Sequence, residues 1–359
     1  MTEINRRQTL YLTGMGMTAL AGCSTSSDES DGTADDPTNQ TPDDGADEPA
    51  DPGETTEYEG TIEAGALPSY ASLLPDLGRS EYFYGAIDIE TMVTLLEEKD
   101  VQSGENPTDP LVVNPVVIAL LCFDGLTRLR DSPAANAYST HDETPAGEST
   151  LVYANGIYAI DGEYDRDGLE ATLEEDGYAT QVADDGYTIY VHEETGGVVG
   201  VTDAVFAFPN PNAGGSEFDP TAAVRRTLET AVGRREPKHA TDDEFEWLLR
   251  AGHNGGITTG IYTDAEEFDA TWLGTDQSDD GTDTLESEYG PFEGANGAHQ
   301  HLALADDNGA RAGAIVTYAA EDRVDVDRLE SSLGTEADTV DVVRDGPVAS
   351  INAEYDGDL

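Results

Sequence analysis

Positive charge is what this sequence has least of: seventeen Lys and Arg stand against seventy-five Asp and Glu, and only Lys99 and Lys238 are lysines. A formal net charge of −58 excludes nucleic acid and anionic membrane surfaces as electrostatic partners. Cysteine is almost absent too, with Cys23 and Cys122 alone, so no disulfide framework is built. No apolar run reaches 18 residues. The longest, "LVVNPVVIALLCF", is interrupted by Asn114 and Pro115 and reads as a buried helix from about Val116 to Arg130, with Cys122 a small apolar core residue. No G-x-S-x-G, H-E-x-x-H, P-loop or C-x-x-C occurs, so no local motif sets up a nucleophile, and the expectation is a non-catalytic protein.

What is present begins with "RRQTLYLTGMGMTALAGC". Arg6 and Arg7 precede an apolar stretch from Leu10 to Gly22, which as a helix would rise only about 20 Å, short of a bilayer core of about 30 Å. A charged start, a short apolar middle and small residues before a cut make a secretory signal. The Arg6-Arg7 pair resembles a twin-arginine export signal, departing from it in having Thr9 where a large apolar residue is common. Leu20-Ala21-Gly22-Cys23 resembles a lipobox. Together they resemble the signals of haloarchaeal exported lipoproteins, which implies lipidation of Cys23 and anchorage at the outer face of the cytoplasmic membrane. The charge agrees independently, because at about 1 M salt the Debye length falls to about 3 Å and self-repulsion of an acidic surface is screened.

Residues 1–22 are thus read as signal and 23–59 as a lipidated cysteine followed by a tether. From Ser24 to Glu59 there are thirteen acids and no base, too little apolar surface to offset ordering entropy. Asn39-Gln40-Thr41 is a glycosylation sequon within it.

The body, 60–359, carries an internal repeat. Shifted by 160 residues, 158–194 aligns with 318–354 at eleven identical positions, among them Tyr158/Tyr318, Asp165/Asp325, Asp167/Asp327, Leu169/Leu329, Leu173/Leu333, Val182/Val342 and Gly186/Gly346. Each copy reads as strand, helix and strand, the second strand entered through an Asp-Gly turn, with Asp167 or Asp327 expected at the N-cap of a capping box closed by Glu170 or Glu330. Upstream, "EYFYGAIDI" with "ETMVTLLEEKD" and "GVVGVTDAVFAF" with "DPTAAVRRTLETAVG" read as a diverged matching set, and "GGITTGIYT" as an added strand. The expectation is an α+β protein of two related halves, 60–196 and 197–359, each an antiparallel-rich sheet with helices packed on one face, the boundary near Gly196-Gly197.

Candidate chemistry is sparse. Asp276-x-Ser278-x-Asp280-Gly281, with Glu286 beside the twelfth position, matches the first half of a calcium loop, against the simpler reading of a solvated acidic loop. Glu163-x-Asp165-x-Asp167 with Glu174 has similar spacing but follows a strand, and both Asp-x-Asp pairs read more simply as helix caps. His299-x-His301 places two imidazoles on one face of a strand without a third ligand, while His141, His192, His239 and His253 are scattered. The function expected is a surface binding or envelope-interaction protein, its partner an envelope protein or a small ligand. A transporter's solute-binding component and an extracellular hydrolase are the alternatives.

Overall fold

The computed structural model describes residues 61–89, 91–92, 107–213, 218–270, 273, 287–304 and 309–356. Within them lie twelve strands and seven helices. In chain order these are β1 Glu81–Asp88, α1 Pro110–Arg130, α2 Ala135–His141, β2 Thr150–Ala154, β3 Ile157–Asp161, α3 Arg166–Glu175, β4 Tyr178–Asp184, β5 Tyr187–His192, β6 Val198–Val201 and β7 Val205–Pro209. There follow α4 Pro220–Ala231, α5 Lys238–Thr241, α6 Asp243–Ala251, β8 Ile257–Thr263, β9 Gly297–Leu304, β10 Ala310–Thr317, α7 Val326–Ser332, β11 Thr339–Asp345 and β12 Val348–Tyr355.

All twelve strands form one antiparallel sheet in the order β11-β12-β10-β9-β8-β1-β2-β3-β7-β6-β5-β4. The fold is therefore mixed α+β. Tight turns set the hairpins: Asn155 and Gly156, at φ 45° and 97°, supply the left-handed pair that a two-residue β2–β3 connection requires. Near the centre of the sheet is the seven-residue pairing of β1 with β8, Glu81 opposite Thr263 through Ile87 opposite Ile257. The strand from "GGITTGIYT", not "GVVGVTDAVFAF", thus stands beside β1. The strands following Gly197, β6 and β7, hydrogen-bond to β5 and β3.

Helices lie on both faces of the single sheet, α1, α2, α3 and α7 on one and α4 and α6 on the other. The reason is visible in β1, whose residues are buried on both sides: Tyr82, Tyr84 and Ala86 join one apolar cluster with α4 and α6, whereas Phe83 and Ile87 join another with α1, α3 and α7. Two glycines mark the close approaches. A Cβ on Gly85 would stand 2.5 Å from the Ile118 side chain of α1, and one on Gly200 of β6 would stand 2.5 Å from both Val224 and Leu228 of α4. β-Rich segments with bulky residues at successive positions cannot leave either face wet without exposing apolar area worth about 25 cal/mol per Å².

Helix α1 is continuous from Pro110 to Arg130, through Asn114 and Pro115. Pro110 is at its first turn, where no N–H is needed, and Pro115 forfeits one ladder bond near the start. Among the described residues α1 is the one helix long and apolar enough to cross a membrane, yet 67% of its most apolar window is buried within the fold. Cys122 is buried on it, and burial pushes the thiol up to about 12, so it is not a nucleophile at neutral pH.

Aspartates start five of the seven helices: Asp109, Asp165, Asp219, Asp242 and Asp325 each accept from a backbone N–H of the first turn. In the repeat the caps are Asp165 and Asp325, each two residues before the Asp167 and Asp327 expected to cap. The helices begin at Arg166 and Val326, which places Asp167 and Asp327 inside the first turn, where a negative charge still complements the helix dipole. Glu170 closes no box; it accepts from Arg166 Nε at 2.7 Å and Thr188 Oγ1 at 2.8 Å.

Candidate functional site

The N-terminus of α1 is the best-built polar region. Asp109, fully buried, accepts four hydrogen bonds: from its own helix at Leu111 N (3.0 Å), from the loop after α7 at Gly334 N (3.0 Å) and Glu336 N (3.3 Å), and from Tyr355 Oη of β12 (2.9 Å). One carboxylate therefore ties α1 to both the α7 loop and the last strand. A turn further on, Asn114 donates to Gln300 Oε1 of β9 and to the Glu288 carbonyl, both at 2.9 Å, and accepts from Glu288 N at 2.6 Å. Gln300 completes the circuit by donating to the Pro110 carbonyl at 3.0 Å. A buried amide pair fully satisfied in this way fixes register, because removing either partner strands a desolvated polar group.

These bonds shape the walls of a pocket of about 400 Å³, lined by Thr108, Pro110, Glu288, Arg328, Ser332 and Thr335 with Gly290 and Pro291. Arg328 is held at its edge, Nη1 donating to the Glu293 carbonyl at 3.0 Å and pairing with the Glu293 carboxylate at 3.2 Å. The pocket offers hydroxyls, a carboxylate and a guanidinium; this suits a small polar molecule, and it contains no Ser, Cys or Lys paired with a base.

On the opposite face lies a histidine cluster. His299 is fully buried; its Nδ1 faces Tyr84 Oη at 2.8 Å and its Nε2 faces the His253 carbonyl at 3.2 Å, a network that assigns the proton to Nε2. The His253 and His301 rings meet at 4.9 Å. Burial lowers His299 to about 4, only partly offset by the bond to His253, and lowers His301 to about 3, with His253 and His299 adding repulsion. The strand pair was legible from spacing; His253 joins it from the turn after α6, a juxtaposition with no local signature. Among the described residues no group of three or more His, Cys, Asp or Glu is placed to hold a metal ion.

A buried ion pair braces the start of α6. Lys238 Nζ meets Asp242 at 2.6 Å, Tyr262 Oη donates to the same carboxylate at 2.9 Å, and the ammonium sits 5.3 Å from the Tyr262 ring centroid. Burial alone would raise the Asp242 carboxyl, but hydrogen bonds from Lys238, the Phe245 amide and Tyr262 outweigh it and hold it below the usual range.

Of the residues singled out from sequence, Asp165 is spent on its cap and on His141 Nδ1 at 3.3 Å. Arg6, Arg7, Cys23 and Asn39 lie outside the described residues, as do Asp276, Ser278, Asp280 and Glu286 of the acidic loop.

No family model and no curated protein matches the chain. Solved structures of one protein, TP0453, overlap it in part. Its crystal form III gives a TM-score of 0.38 at 10% identity over 80% of this chain and 94% of that one. Crystal form I gives 0.36 at 12% over 81% and 92%. Crystal form IV gives 0.38 at 10% over 80% and 92%. Overlap of this extent carries neither topology nor activity from one protein to the other.

Proposed function

We propose that the chain is an exported lipoprotein of a high-salt environment, directed by Arg6 and Arg7, anchored through Cys23 at the outer membrane face, and presenting a non-catalytic body that binds an envelope protein or small ligand. The observation that carries the reading is where the charge sits. Of the described acids only Asp109 is fully buried, so the acidic excess of the described body is a property of its surface, and a body so charged is favoured by concentrated counterions. The tether from 24 to 59 leads into a strap at the body's edge: the Ile62 amide donates to Asp345 at 3.2 Å and the Gly65 amide to the Arg250 carbonyl at 2.6 Å. Asn39 in that tether is the proposed glycan acceptor, and no resident cofactor belongs to this reading.

The body is proposed to be a duplication centred on β1 and β8. Outward from that pair the sheet runs β2, β3 on one side and β9, β10 on the other, and each arm ends in a hairpin entered from an Asp-capped helix, β4–β5 after α3 and β11–β12 after α7. The paired leucines support it, since Leu169, Leu173, Leu329 and Leu333 are all at most 1% exposed. In this reading β6, β7 and α4 to α6 link the copies.

Membrane fractionation of the native chain and of Cys23→Ser tests the anchor: the substitution should release the protein to the soluble fraction, and retention in the membrane would overturn the assignment. Circular dichroism from 50 mM to about 2 M potassium chloride tests the solvent reading. Stability should climb with salt, and a fold equally stable throughout would contradict it.

A further inference from the structure

The two edges of the sheet are built differently. At one end β4 loses register between Thr180 and Val182, a bulge that leaves an extra residue unpaired and twists the edge away from easy pairing. At the other end β11 pairs with β12 through seven unbroken rungs, Thr339 opposite Glu354 to Asp345 opposite Val348, and among the described residues no strand covers its outer side, the Ile62 amide reaching only the Asp345 side chain at its last rung. Val340 on that edge is 41% exposed.

We propose that β11 pairs antiparallel with β11 of a second copy, turning about Val342, so that two copies share one continuous sheet. A two-fold axis normal to the sheet requires one residue to face its own copy, because opposed residues in a ladder point to the same side. Rotation about Asp341 would set two carboxylates against each other. Rotation about Val343 would set Asp341 against Asp345. Rotation about Val342 engages the whole strand and places Thr339 opposite Asp345, Val340 opposite Arg344, and Asp341 opposite Val343, with no like charges opposed. In that register the exposed Val340 lies along the aliphatic stem of the other copy's Arg344. Since each copy carries a net −58, pairing belongs to concentrated salt, where repulsion beyond a few ångströms is screened.

The test uses the full chain with Cys23→Ser, so that buried Cys122 is the only native thiol. Adding Val342→Cys should give a disulfide-linked dimer under mild oxidation in about 2 M potassium chloride, because self-opposed Cα atoms stand about 4.5–5.5 Å apart. Adding Thr339→Cys instead should not, since that residue and its own copy lie about 20 Å apart. Sedimentation of the chain without an added thiol should report a dimer, and the exposed substitution Val340→Lys, which opposes two cations across the seam, should return a monomer with an unchanged melting curve. A monomer at about 100 µM in high salt, open-ended oligomers, or equal cross-linking of the Val342→Cys and Thr339→Cys chains would each overturn the proposal.

Discussion

Strands β5 and β12 come from aligned stretches of the repeat, yet they meet different surroundings. In β5, Tyr187, Ile189 and Tyr190 are all at most 2% exposed, because α3 lies over one face and α4 over the other. In β12 burial alternates: Ala349, Ile351, Ala353 and Tyr355 are covered, while Asn352 and Glu354 are exposed. The face that joins the larger apolar cluster is covered in both arms, and the other face is closed in one and largely open in the other. A strand covered on one side only keeps that side for the core and leaves the other free to be polar, which is how a sheet acquires a polar surface without losing its fold.

The largest expected break in this comparison is at the second face itself. Ile189→Ala should cost about 2–5 kcal/mol by urea unfolding, the range for a filled core position, whereas Ser350→Ala on the open face should stay within about 0.5 kcal/mol. Equal costs would mean that the open face is covered in solution.

The next effect is on pH and belongs to the β9 arm. His299 and His301 hold folded-state values of about 4 and about 3, below the ordinary 6.5 of the unfolded chain. The unfolded state therefore takes up protons first as pH falls, so the stabilisation is complete above pH 6.5 and drains away as pH drops toward 4. Between pH 7 and 5 the loss should be about 2–4 kcal/mol, shared by a mutually repelling cluster, and His299→Gln should flatten the pH dependence by about half. A wild-type stability curve level across that window would remove the cluster's role.

Caps give a smaller and sharper comparison. Asp165→Ala and Asp325→Ala should each cost about 1 kcal/mol, and Asp167→Ala and Asp327→Ala only a few tenths, since the latter pair offers charge to the dipole without a cap bond. Similar losses in all four would restore the capping box.

Much of the scaffold was legible in sequence because it is local. The Asp-Gly turns at Gly186 and Gly346, the leucine faces at Leu169/Leu173 and Leu329/Leu333, and the buried Cys122 follow from turn chemistry and periodicity, whereas the hairpin at Asn155-Gly156 falls inside what reads as one strand. The caps were displaced by two residues because Asp-x-Asp offers two starts and spacing alone does not choose between them. Beyond the helix the ungapped repeat misleads for a physical reason. The bulge in β4 changes the strand's parity, so Val182 packs with the α4 cluster while its aligned partner Val342 packs with the α1 cluster. The β1·β8 pairing, the Asn114–Gln300 pair and the entry of His253 beside His301 join residues far apart in sequence, and no short-range pattern announces them.

The arm that ends in β4 and β5 is closed on both faces, and the arm that ends in β11 and β12 is open on one. Thiol labelling in about 2 M potassium chloride reads that directly: with Cys23→Ser as background, Ile189→Cys should react at least about a thousand-fold more slowly than an unfolded control, and Asn352→Cys within about ten-fold of it. Comparable protection at the two positions, with both variants melting as folded proteins, would contradict it.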